Sequence, residues 1–140
     1  MDKMIRHIVS GDRRGAENGS QRAVSDFNSR MGYDSVQFTC IGDDMHFEKV
    51  IDLGDGLVIF SKLSSHGVAQ IRRMAEARGK PVTVFDFDQE TTLYELAAWI
   101  SENKIETLSV LGLKESACTG TEEKVFRSVV DLFGLSQVVP

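Results

Sequence analysis

The residues able to do chemistry fall into four short polar stretches, each directly after an apolar run. The first is Ser10-Gly11-Asp12-Arg13-Arg14-Gly15-Ala16. Its glycines allow a backbone to approach an anion, and free N–H groups at a helix start favour phosphate. Arg13 or Arg14 adds a charge-assisted fork. The stretch is neither a G-x-G-x-x-G fingerprint nor a P-loop, which ends in G-K-[ST]. The same residues also make an ordinary polar strand–helix turn with solvated arginines.

The second stretch, Ser61-Lys62-Leu63-Ser64-Ser65-His66-Gly67, follows the most apolar run. Ser61, Ser65 and Gly67 suit an anion, and Ser65 serves equally as a plain N-cap. His66 is a ligand contact, a general acid/base or a bystander. The third is Asp86-Phe87-Asp88, whose acids suit a ribose hydroxyl, a metal or simple turn chemistry. The fourth, Gly112-Leu113-Lys114-Glu115-Ser116-Ala117-Cys118-Thr119-Gly120, is long and polar for a βα loop, which points to binding. Gly112, Lys114, Glu115 and Ser116 are its candidates. His7, His46 and His66 are scattered, so no metal site is expected. No G-x-S-x-G elbow supports a Ser-His-Asp triad.

The elements that must position these stretches alternate. Expected strands are Ile5 to Ser10, Val36 to Cys40, Leu57 to Ser61, Pro81 to Phe87 and Thr107 to Leu111. Expected helices are Arg13 to Met31, Val68 to Arg78, Thr92 to Asn103 and Thr121 to Phe133. Gly19 weakens the first helix and moves its expected start toward Ser20. Gly32, Gly79 and Gly134 read as C-terminal stops. Phe47 to Leu53 fits a short edge strand or a helical turn. Alternation of this kind implies an α/β domain, Rossmann-like and doubly wound. It has a mostly parallel sheet of about five strands, with helices on both faces. Ligands of such sheets bind beyond the carboxyl ends of the strands, where all four polar stretches gather.

Composition bounds the rest. The chain has 140 residues, 41% hydrophobic and 26% charged, which fits one globular domain over 1–140. Its net charge of -5 disfavours a duplex nucleic acid partner. Cys40 and Cys118 are too few for a disulfide framework and read as reduced thiols. Charges interrupt the first apolar run, so no signal peptide is read, and no run is long enough to span a membrane. The expected location is cytoplasmic.

Taken together, the stretches resemble a known family. Val9-Ser10-Gly11 with Gly15-Ala16 is similar to the opening S-G-G-x-x-G-A-D of the SLOG superfamily. Asp55-Gly56-Leu57-Val58-Ile59-Phe60-Ser61, then Gly67, then Ala77-Arg78-Gly79-Lys80-Pro81-Val82, resembles its YpsA-like branch. Leu108-Ser109-Val110-Leu111-Gly112-Leu113-Lys114-Glu115-Ser116 is similar to that branch's L-N-V-A-G-P-R-E-S, and Thr119-Gly120 with a closing helix also fits. The branch is described as putative molybdenum carrier proteins. The resemblance spans most of the chain except roughly Asp34 to Leu53. It implies a Rossmann-like fold that binds a nucleotide or nucleotide-derived ligand, usually as an oligomer.

Related phosphoribohydrolases carry P-G-G-x-G-T-x-x-E, with a catalytic glutamate. Matching Gly67 to the glycine before that threonine places Ile71 at the glutamate position, and an apolar side chain cannot transfer a proton. The first expectation is therefore a binding module that senses, carries or sequesters a small phosphorylated ligand. A nucleotide-processing hydrolase is the alternative, with Glu115, Asp12 or Asp86 as its acid/base. A structural oligomer, associating through a helix such as Tyr94 to Ile100, is the third.

Overall fold

The computed structural model describes residues 5–11, 16–32, 36–42, 46–61, 67–86, 93–112 and 120–138. Five strands and five helices alternate along the chain. They are β1 His7–Gly11, α1 Ala16–Met31, β2 Gln37–Ile41, α2 His46–Leu53, β3 Gly56–Ser61, α3 Val68–Ala77, β4 Val82–Asp86, α4 Leu93–Glu102, β5 Thr107–Gly112 and α5 Thr121–Val138. Every paired strand is parallel, in one sheet of order β2-β1-β5-β3-β4. Counting from β5 instead of β1, this order becomes 3-2-1-4-5, the standard order of the dinucleotide-binding sheet. The sheet is therefore a rotated version of that order, with its first unit moved to the end of the chain.

Side-chain alternation divides the core into two layers. Ile8, Val58, Phe60, Leu108 and Val110 face α1, α4 and α5. Val9, Leu57, Ile59 and Leu111 face α2 and α3. β3 lies between β5 and β4 and is buried along its whole length, which is why its sequence is a continuous apolar run.

One open alternative is decided and two expectations change. Phe47 to Leu53 is a helix: Val50 and Ile51 are fully buried against the sheet, and Ser109 Oγ donates to Val50 O at 2.5 Å. α1 begins at Ala16 and runs through Gly19, where a Cβ would lie 2.5 Å from Glu122 O and 3.0 Å from Val125 Cβ. The glycine is there because α1 and α5 touch backbone to backbone. Gly134 does not end α5, which continues to Val138. A mid-helix glycine costs only about 1 kcal/mol, too little to stop a helix already anchored by Val125, Val129, Leu132 and Phe133. The stops at Gly32 and Gly79 hold.

At the amino edge of the sheet, side chains tie elements together. Asp55 Oδ2 accepts from the N–H groups of Glu106 and Thr107, both at 3.0 Å. Lys80 Nζ donates to Gly54 O at 2.7 Å, and Arg78 Nε pairs with Asp52 at 2.8 Å. The motif Arg78-Gly79-Lys80-Pro81-Val82 thus fastens the end of α3 to the end of α2.

Candidate functional site

The carboxyl ends of the strands bring together Gly11, Ser61, Asp86 and Gly112. Phe60 lies beside Gly112 and Ser61 beside Asp86 in the strand register. The chain leaves β5 for α5, which packs in the first core layer, and leaves β3 for α3, which packs in the second. Two neighbouring strands whose outgoing chains part to opposite faces define a topological switch point. Here it lies between Gly112 and Ser61.

A second opening lies between β1 and β5. Their ladder ends at Val9 and Ser109, although β1 continues to Gly11 and β5 to Gly112. Ser10, fully buried, donates from Oγ to Val110 O at 2.6 Å. Its hydroxyl therefore holds the two strands at the point where backbone pairing stops.

Ser61 and Asp86 are also buried, at 1% and 4% exposure. They continue the alternation that places Leu57, Ile59, Val82 and Val84 against α3. Val68, the first residue of α3, packs in the same layer. The start of α3 is thereby set over the strand ends that carry Ser61 and Asp86.

That start is electrostatically distinctive. Gly67, its N-cap, has φ 91° and ψ -20°, a left-handed conformation that a side chain adopts only with strain. Among the described residues no side chain caps the helix there, and no acidic residue lies in its first turn. The N–H groups of Val68 and Ala69 meet no acceptor among the described residues. The other four helices each carry a glutamate in the first turn: Glu17, Glu48, Glu95, and Glu122 with Glu123.

Of the residues singled out from sequence, Ser10, Gly11, Ser61, Gly67, Asp86 and Gly112 are described, and all lie at this edge. Asp12, Arg13, Arg14, Ser65, His66, Phe87, Asp88, Lys114, Glu115, Ser116 and Cys118 lie outside the described residues. Ile71 packs against the α2–α3 layer, so the position matched to the hydrolase glutamate is a packing position. Helix α4 turns Leu96 and Ile100 inward, leaving Tyr94 72% exposed.

Sequence reasoning missed Glu17, a carboxylate only 2% exposed in the first turn of α1. Its place after Gly15-Ala16, at the acidic position of S-G-G-x-x-G-A-D, was the available signal. A groove of about 500 Å³ lies between α1 and α5, lined by Gln21, Arg22, Glu122 and Phe126 among others. Arg22 stacks over Phe126 at 4.4 Å and pairs with Glu122 and Glu123 at 3.0 and 3.3 Å, so its charge is already matched. The groove takes no residue from the four polar loops. Among the described residues, no group of three His, Cys, Asp or Glu is arranged to hold a metal ion. No described helix is long and apolar enough to cross a membrane.

A family model described as the circularly permutated YpsA SLOG family matches residues 14–133. The rotated strand order agrees with that description. Among solved structures, the chain is similar to the putative molybdenum carrier protein from Syntrophus aciditrophicus SB, with a TM-score of 0.70 and 21% identity. The match covers 95% of this chain and 97% of that one, and it shows the shared fold. No curated protein matches the chain.

Proposed function

We propose a function from one premise: the chain belongs to the circularly permutated YpsA SLOG family. It is a binding module for a small phosphorylated ligand, a nucleotide or a nucleotide-derived molecule, which it senses, carries or sequesters. The observation that carries this reading is the start of α3 at the switch point, where no described side chain caps the helix. There, N–H groups that meet no acceptor among the described residues and the positive end of a helix dipole lie beside a left-handed glycine.

Three loops serve the ligand in this reading. Ser61 and Gly67, with Ser65 of the stretch between them, are assigned to ligand contact. Gly112, with Lys114, Glu115 and Ser116 of the stretch after β5, is assigned to ligand contact. Gly11, with Arg13 and Arg14 of the stretch after β1, is assigned likewise, and Ser10 fixes the end of that strand to Val110. The similar structure's name speaks of molybdenum carriage. A tetrahedral oxyanion such as molybdate presents the same chemistry to backbone N–H groups as phosphate does, so both belong in one test.

The test pairs mass spectrometry of small molecules released from purified protein with a thermal-shift panel. The panel holds nucleotides, ribose 5-phosphate, inorganic phosphate and molybdate. A ligand at about 100 times its Kd adds roughly 2.7 kcal/mol of stability. One clear phosphorylated stabiliser is expected, and its binding should weaken in an Arg13→Ala, Arg14→Ala double variant. Stabilisation by molybdate alone would move the reading to oxyanion carriage. No released molecule and no stabiliser would overturn it.

A further inference from the structure

We draw no further inference here: the strongest candidate, the buried side chains of Ser61 and Asp86 at the carboxyl ends of β3 and β4 beneath the start of α3, belongs to the site already described.

Discussion

Ser10 Oγ donates to the carbonyl of Val110 at 2.6 Å, one residue beyond the last backbone pair of β1 and β5. A side chain takes over where the ladder stops, and both partners are fully buried. The serine in a stretch that resembles a phosphate turn therefore works inward, on the sheet.

Ser10→Ala should destabilise the fold by about 1–3 kcal/mol, because a buried hydrogen bond is lost with no water to replace it. Urea titration reads this directly. An unchanged midpoint would mean that the strands hold without the hydroxyl.

Gly19→Ala separates helix propensity from packing. Alanine is the better helix former by about 1 kcal/mol, so a free helix would gain. Here the new Cβ would meet Glu122 O at 2.5 Å and Phe126 N at 3.1 Å, both backbone atoms. The expected net outcome is a loss of about 1–3 kcal/mol, as for other overpacked contacts. Equal or greater stability would show that α1 and α5 can part at little cost.

Ala69→Glu sets stability against binding. Ala69 is exposed in the first turn of α3. A carboxylate there should stabilise the ligand-free protein by about 0.3–1 kcal/mol through the helix dipole. The same charge should weaken a phosphorylated ligand several-fold, which thermal melts with and without ligand would resolve. If affinity is unchanged, the start of α3 is not the anion's seat.

Asn28 tests a side chain acting as a strand. Its Nδ2 donates to Val36 O at 2.7 Å, and its Oδ1 accepts from Val36 N–H at 3.0 Å. Asn28→Asp keeps the acceptor and turns the donor into an anion facing a carbonyl. A loss of about 1–3 kcal/mol at neutral pH is expected, measured by chemical denaturation. A neutral effect would mean that the start of β2 is fixed elsewhere.

The order of elements was legible because β3 is covered on both faces and reads as an unbroken apolar run, and short apolar segments alternate with longer amphipathic ones around it. Strand order was not legible. The insertion of β5 between β1 and β3 depends on contacts such as Ser10 with Val110, about which local periodicity says nothing. α2 was ambiguous because eight residues make two turns, and Phe47, Ile51 and Leu53 fit either period. Gly19 and Gly134 look alike as helix breakers in sequence. Only the approach of Glu122 shows that the first is a packing residue. The carboxyl edge was legible as a place, since strand ends follow from strand positions. Glu17 was not, because its burial depends on the fold around it.

The same α1–α5 contact has a consequence for synthesis. Phe27 and Phe133 stack with ring centroids 4.9 Å apart, yet more than a hundred residues separate them in the chain. At about 5–20 residues per second, the apolar stripe of Ala23, Val24 and Phe27 waits for its α5 partners for roughly 5–20 s after it is made. Those residues cannot pack against α5 until the ribosome has passed residue 133. The nascent chain should therefore depend on chaperone shelter, and a transcript cut before residue 133 should yield a product that is degraded rather than folded.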